Sequence, residues 1–284
     1  MSNLIKLLRR ILKKYFPTIY NSSSKIRNFM YLNLFTLRTK INVIKSFEEF
    51  SPNVSGDSDM KIANTIFNIQ NFSKAMTRIQ NKPLRVEDIN QAYKITNQEL
   101  GNLFQKYGSD KKTHSYHLIY ENIIKEAGEV SLLIEIGLGT NNEDVLSNMS
   151  SKGKPGSSLR AFRDYLDNAE IVGLDIDSRV LFEENRIKTF KFDQNVIESL
   201  EILPKNFLNS VDILIDDGLH SPVANINTIY FAKQLLKENG FLIIEDINKH
   251  AINLYQVIFQ AAQKDFSVRL FTNRSCLVAV LRKL

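Results

Sequence analysis

From about residue 130 onward the chain alternates between two hydrophobic periodicities. Short apolar runs rich in branched residues, SLLIEIGLG (131–139), AEIVGLDID (169–177), IKTFKFDQ (187–194), VDILIDDG (211–218) and GFLIIEDI (240–247), have the length and composition of strands. Between them lie SLRAFRDYL, VANINTIYFAKQLLKEN and AINLYQVIFQAAQK, whose apolar positions recur at helical spacing. Such alternation predicts right-handed crossovers, a largely parallel sheet and helices on both of its faces. The carboxyl-terminal end breaks the rhythm. FSVRLFT and SCLVAVLRK are separated only by Asn273 and Arg274, which predicts an antiparallel hairpin.

The first hundred residues read differently, as a helical, basic extension (1–100) preceding the α/β domain (101–284). In NLIKLLRRILKKYF, Leu4, Leu7, Leu8, Ile11, Leu12 and Tyr15 fall on one helical stripe, with Lys6, Arg9, Arg10, Lys13 and Lys14 between them. A basic amphipathic helix over residues 1–16 suits peripheral contact with an anionic membrane surface, and equally suits packing on the protein's own body or on a second subunit of a homo-oligomer. Pro17 and NSSSK end it, and SPNVSGDSD reads as a loop. DMKIANTIFNIQNFSKAMTRI, NKPLRVEDINQAY after Pro83, and NQELGNLFQKY predict further helices, and no strand is expected in this region.

Composition bounds the rest. With 284 residues, 43% of them hydrophobic, the chain has room for one α/β core and an appendage. No apolar run reaches the roughly 20 residues of a spanning helix, and no signal-peptide pattern opens the chain, so a cytoplasmic location is expected, at the inner membrane face if the arm binds lipid. The single cysteine, Cys276, excludes an internal disulfide or a thiolate cluster and reads as a core residue. Residues 1–50 hold ten Lys/Arg against two Glu, and the remainder holds 27 basic and 29 acidic residues, so the net charge of +6 belongs to the arm. A slightly acidic domain without a basic, aromatic-laced stripe argues against a nucleic-acid partner.

Five parallel strands closed by a terminal hairpin resemble the sheet of class I S-adenosylmethionine methyltransferases: α/β, doubly wound, mostly parallel, seven-stranded and Rossmann-like. In such sheets ligands bind at the carboxyl ends of the strands, near the point where strand order reverses. The first strand closes on Glu135, Gly137 and Gly139. A nicotinamide dinucleotide would require a third glycine where Asn142 stands and an acid about 20 residues on, whereas Asp175 comes 36 residues after Gly139. S-adenosylmethionine suits the same ends better. Glu135 would hold its amino-acid end indirectly, the glycines would admit the methionine moiety, Asp175 would accept from the ribose hydroxyls, and Asp193 and Gln194 would meet the adenine edge. The segment GTNNEDVLSNMSSKGKPGSS (139–158) is long and unstructured in pattern, as expected for a lid.

The fourth strand ends on Asp216, Asp217 and, shortly after, His220; the fifth ends on Glu245 and Asp246. Neighbouring strands lie about 5 Å apart, so several carboxylates converge and would repel unless a cation joined them. Mg²⁺, with its oxygen ligands and open positions, fits this better than zinc, for which no histidine or cysteine spacing is present. A metal-bound hydroxyl beside a histidine able to take its proton is a reasonable apparatus for O-methylation. His250, at a helix start, reads as a solvated or capping residue.

The ordered set GSDK (108–111), HSYHLIYENI, IEIGLG, GSSLRAF, GLDID, FDQ, IDDGLH and IIEDI resembles the metal-dependent macrolide sugar O-methyltransferases of the mycinamicin and macrocin type, over about residues 103–247. The resemblance implies Asp217, Glu245 and Asp246 as Mg²⁺ ligands, His220 as general base and Asp175 on the ribose, with Ser158 and Asp216 among the cofactor-binding residues. Lys111, His114 and Tyr116 fall in a segment that flanks the cofactor and acceptor. The implied acceptor is a sugar hydroxyl of a glycan or glycosylated small molecule; the alternatives are a catechol-type acceptor or a non-catalytic, methyltransferase-like binding protein. The chain has no Trp and so lacks that family's tryptophan-bearing stretches.

Overall fold

A computed structural model describes residues 83–93, 98–145, 148–149, 153–273 and 276–284. The expected amphipathic arm, the loop at 51–59 and the helix following it lie outside these residues.

The strands are β1 (Val86–Asp88), β2 (Leu132–Ile136), β3 (Glu170–Asp175), β4 (Glu183–Glu184), β5 (Ile187–Lys191), β6 (Val211–Asp216), β7 (Leu236–Ile247), β8 (Phe266–Thr272) and β9 (Leu277–Lys283). They form one sheet in the order β1-β8-β9-β7-β6-β2-β3-β5-β4. All five expected parallel strands and the terminal hairpin are present, but the sheet has nine strands among the described residues instead of seven. One addition is the two-residue β4, antiparallel to β5. The other corrects the helix expected after Pro83: Val86–Asp88 run parallel to β8, and only Ile89–Ala92 are helical. Asp88, whose carboxylate accepts from Asn90 N at 2.9 Å, caps that turn, so the strand ends where the cap begins.

The chain winds outward from β2 through β3 to β5, then returns to place β6 on the other side of β2 before moving on to β7. Residues Ile136 and Asp216 are paired in register at the carboxyl ends of β2 and β6. This is the switch point, and the sequences IEIGLG and IDDGLH emerge from it side by side. Gly137, at φ 96°, makes that proximity possible, because a Cβ there would lie 2.0 Å from the Asp217 carbonyl oxygen.

The helices are α1 (Ile89–Ala92), α2 (Glu99–Tyr107), α3 (Tyr116–Ala127), α4 (Ser157–Tyr165), α5 (Pro222–Leu235) and α6 (Ile252–Ala262). Alternation along the buried strands feeds two cores. Leu133, Ile171, Ile213, Ile215 and Ile243 join Phe104, Tyr120 and Phe162 of α2, α3 and α4, whereas Ile134, Val172, Leu214, Leu242 and Ile244 join Phe231 and Phe259 of α5 and α6. The predicted helix from Val223 stops at Leu235, and Leu236–Asn239 belong to β7. Ser221 caps α5 by accepting from Ala224 N at 3.2 Å, and Pro222 follows it at the first helical position. IDDGLH therefore runs straight from a strand end into a helix start.

Candidate active site

One cavity of about 870 Å³ opens at the switch point. Its lining joins the turn after β2 (Gly137, Leu138, Gly139), the start of α4 (Ser157, Ser158), the acids after β6 and β7 (Asp217, Glu245, Asp246), His220, and the segment before α3 with Lys111, His114 and Tyr116. Met149, Gly153 and Lys154 of the expected lid also line it. Residues far apart in sequence, and read there as cofactor-side and metal-side, thus share one space.

Three ligand-type atoms, one each from Asp217, His220 and Asp246, lie within 4.8 Å of one another. Ligands of an octahedral Mg²⁺ stand about 3.0 Å apart when adjacent and about 4.2 Å apart when opposite, so these atoms would draw closer together around one ion. His220 Nε2 is 3.8 Å from Asp217 Oδ1, and its Nδ1 is buried with no hydrogen-bond partner. Both His220 (φ 54°) and Asp246 (φ 51°) hold left-handed backbone, as do Ser115, Arg186, Asn209 and Asn239 elsewhere among the described residues. Two carboxylates that converge beside an imidazole fit a divalent cation held by oxygen with a base at its side.

Asp246 is braced on one oxygen. The Tyr116 hydroxyl donates to Oδ1 and lies 2.7 Å from Cys276 Sγ, which itself is 3.1 Å from the same Oδ1. Burial alone would raise the Asp246 carboxyl, but these hydrogen bonds, with His220 and Lys111 nearby, outweigh it and hold the group below the ordinary carboxylate range. The tyrosine responds in the opposite direction, pushed up by burial and by the charges of Glu245 and Asp246. Tyr116, expected on the substrate side, lines the cavity chiefly as the support of an acid. Cys276 is buried, as expected, but its thiol is part of this brace and not only core filling.

Glu245 lines the same cavity yet stands outside the converging trio. Its Oε1 is 2.7 Å from Lys111 Nζ, which also lies 2.8 Å from Asp217 Oδ2 and 3.2 Å from Glu135 Oε1. Burial pulls the Lys111 ammonium down, but the three carboxylates together prevail and raise it well above its usual value. Burial pushes Glu245 up to about 7 against the pull of Lys111. Glu135, fully buried, is raised by the same cause, while Ser158 Oγ donates to its Oε2 at 2.6 Å. Nothing in the local sequence around Lys111 announced this role.

The remaining expected residues do not line the cavity. Asp175 accepts backbone N–H groups from Leu138 and Asp177, each at 2.8 Å, and so ties the glycine turn to the end of β3. Gln194 donates to Asp216 Oδ1 and Thr228 Oγ1, both at 2.7 Å, and accepts from Leu219 N at 3.0 Å. Asp216 is fully buried and also accepts from Asn225 Nδ2 at 2.8 Å. These contacts brace IDDGLH from beneath. Asp193 accepts from Asn195 N at 2.9 Å in a local turn. Strand-end acids are equally suited to holding backbone amides, and here those amides come from the neighbouring turn.

No protein-family model matches the chain. Among curated proteins, the 8-demethyl-8-alpha-L-rhamnosyl tetracenomycin-C 2'-O-methyltransferase of Streptomyces olivaceus is 27% identical over 168 residues, covering 58% of this chain and 41% of its own length. Mycinamicin VI 2''-O-methyltransferase of Micromonospora griseorubida is 34% identical over 93 residues, covering 32% of this chain and 23% of its own. The matches thus span less than half the length of these relatives. Among solved structures, MycE methyltransferase from the mycinamycin biosynthetic pathway, in complex with Mg and SAH, superposes with a TM-score of 0.52 at 22% identity, over 66% of this chain and 55% of that one. The fold is that of the class I methyltransferases, and the chain is similar to macrolide-type sugar O-methyltransferases, as its motifs led us to expect.

Proposed function

We propose that this chain is an S-adenosylmethionine- and Mg²⁺-dependent O-methyltransferase acting on a sugar hydroxyl of a glycan or glycosylated metabolite. The observation that carries this reading is that one cavity joins the glycine turn after β2 to the acid and imidazole cluster after β6 and β7. The similarity to sugar O-methyltransferases supports the acceptor class.

The backbone of Gly137, Leu138 and Gly139, with Ser158 and Glu135 behind it, would hold the amino-acid end of the cofactor. Asp175 retains lone pairs for ribose hydroxyls beyond the two backbone amides it already accepts, and Asp193 would meet the adenine edge. Gln194 and Asp216 act through the turn they brace. Asp217 and Asp246, with Glu245 once released from Lys111, would hold the cation. A bound Mg²⁺ would acidify and orient an acceptor hydroxyl, and the sulfonium would supply the methyl group. Because Mg²⁺ prefers oxygen ligands, His220 serves as the base that accepts the hydroxyl proton. His114 and Lys154 line the same space, and His114 would face the acceptor. Vicinal hydroxyls, able to chelate, are the favoured acceptors.

The test is formation of S-adenosylhomocysteine with a panel of glycosides, a catechol as the contrasting acceptor, and EDTA in parallel. Chelator-sensitive turnover on glycosides is expected. Turnover indifferent to EDTA would overturn the metal role, and turnover on the catechol alone would move the acceptor to that class. No helix among the described residues is long and apolar enough to cross a membrane. Contact of residues 1–16 with the inner membrane face, or with a second subunit, belongs to the same proposal; it predicts that deleting residues 1–50 abolishes liposome flotation or self-association while sparing turnover.

A further inference from the structure

The cavity holds its own cation. Lys111 projects from the short turn at Asp110–Lys112, capped by Ser109, and its side chain is almost fully enclosed, with 3% of its surface accessible. Three carboxylate oxygens surround Nζ at 2.7, 2.8 and 3.2 Å, from Glu245, Asp217 and Glu135 in turn. The face of the Tyr120 ring lies 5.8 Å away, the residue's hydroxyl is buried without a hydrogen-bond partner, and it contributes no counter-charge. Among the described residues no other lysine or arginine pairs with any of these three acids. Four acids line or underlie this end of the cavity (Glu135, Asp217, Glu245 and Asp246), and Lys111 is in ion-pair contact with three of them.

We propose that Lys111 is a placeholder cation: in the metal-free protein its ammonium occupies the seat between Asp217 and Glu245, and it withdraws toward Glu135 when a divalent ion enters. This inference rests on the metal requirement proposed above and adds to it a competitor built into the chain. Three features of the structure favour it. Glu245 bonds Lys111 at 2.7 Å and lies outside the Asp217, His220 and Asp246 trio. Asp217 is shared, with Oδ2 on Lys111 and Oδ1 toward His220, so one side chain belongs to both cation positions. Glu135 offers a third oxygen, on the cofactor side, to which a flexible four-carbon stem can retreat without leaving its charge unpaired. Charge alone then links the two halves of the site. A divalent ion drawing Asp217 and Glu245 to itself drives the ammonium onto Glu135, the carboxylate that Ser158 anchors at the head of α4.

The test measures Mn²⁺ binding to the full chain by calorimetry and by the electron paramagnetic resonance of free Mn²⁺, in the wild type, Lys111→Met and Lys111→Arg. Removing a buried unit charge a few ångströms from a dication removes a strong repulsion, so Lys111→Met should bind Mn²⁺ at least about tenfold more tightly than the wild type. It should also melt at a lower temperature without metal and recover on adding it, whereas Lys111→Arg, which keeps the charge, should stay near the wild-type affinity. Should Lys111→Met lose its cooperative melting transition, Lys111→Gln, which retains N–H donors, takes its place. A structure of the wild type soaked in Mn²⁺ gives the same answer without substitution: Nζ should leave Glu245 and Asp217 and remain on Glu135. Equal or weaker Mn²⁺ affinity in the folded neutral variant, or Nζ still on both acids beside a bound ion, would overturn the placeholder role and leave the metal reading intact. Absence of Mn²⁺ binding in every protein would overturn the metal reading and this proposal with it.

Discussion

Gln194 and Asp216 meet side chain to side chain at 2.7 Å beneath the turn that carries Asp217 and His220. Both are buried, and the Gln194 carbonyl oxygen reaches on to Leu219 N. Replacing Gln194 with Leu would leave a fully buried carboxylate with one donor fewer and the Leu219 amide without its acceptor. The expected loss is about 1–3 kcal/mol of unfolding free energy, read from urea midpoints, accompanied by weaker Mn²⁺ binding as the turn relaxes. A wild-type midpoint would show that the bond is dispensable.

Tyr116 and Asp246 give a sharper separation of roles. Tyr116→Phe removes the hydroxyl that holds Asp246 Oδ1 and keeps the ring. Affinity for Mn²⁺ should fall about 10- to 100-fold, in keeping with loss of one partner behind a ligating carboxylate, while S-adenosylhomocysteine binding measured by calorimetry stays unchanged. If Tyr116 served the acceptor alone, KM for the glycoside would rise with metal affinity intact.

His220→Ala should reduce turnover by about 10²- to 10⁴-fold, the usual range for loss of a general base, with cofactor affinity preserved. Relief of the left-handed backbone by His220→Gly would not restore activity, because the imidazole and not the turn is the missing part. Comparable turnover in His220→Ala would remove the base assignment.

The junction of α2 and α4 predicts an acid response. Burial would raise the Asp164 carboxyl, but hydrogen bonds from Tyr107, Arg163 and Lys106 outweigh it and hold the group below its ordinary value. Glu184 is lowered chiefly by hydrogen bonding to Arg160. A carboxyl depressed in the folded protein contributes stability that is complete above its unfolded value and disappears as pH falls through the folded one. Melting temperatures of the wild type should therefore drop on acidification below about pH 4. Asp164→Asn should flatten part of that decline. A parallel decline in the variant would place the acid sensitivity elsewhere.

Much of this architecture was legible in the sequence because it is written locally. Glycines and acids at the ends of apolar runs are visible without a partner, and they marked Gly137, Asp217, Glu245 and Asp246 as residues of one region. What could not be read is who pairs with whom over long separations. Lys111 and Glu245 are 134 residues apart, and Tyr116 and Asp246 are 130 apart. The lone pairs of Asp175 and Asp216 are partly taken by groups from neighbouring elements, and no pattern of residue types reveals such occupancy. Val86–Asp88 escaped for a related reason, since three residues carry no periodicity and become a strand only because β8 offers them a ladder.

That ladder has a practical corollary for anyone trimming the chain. With Val86–Asp88 in place, β8 is flanked on both sides, by β1 and by β9. Expression of a fragment beginning at residue 101 would strip away the outermost strand and leave a row of unsatisfied amides and carbonyls, a known invitation to intermolecular pairing. A shortened protein meant to stay monodisperse should therefore retain Pro83 and everything after it.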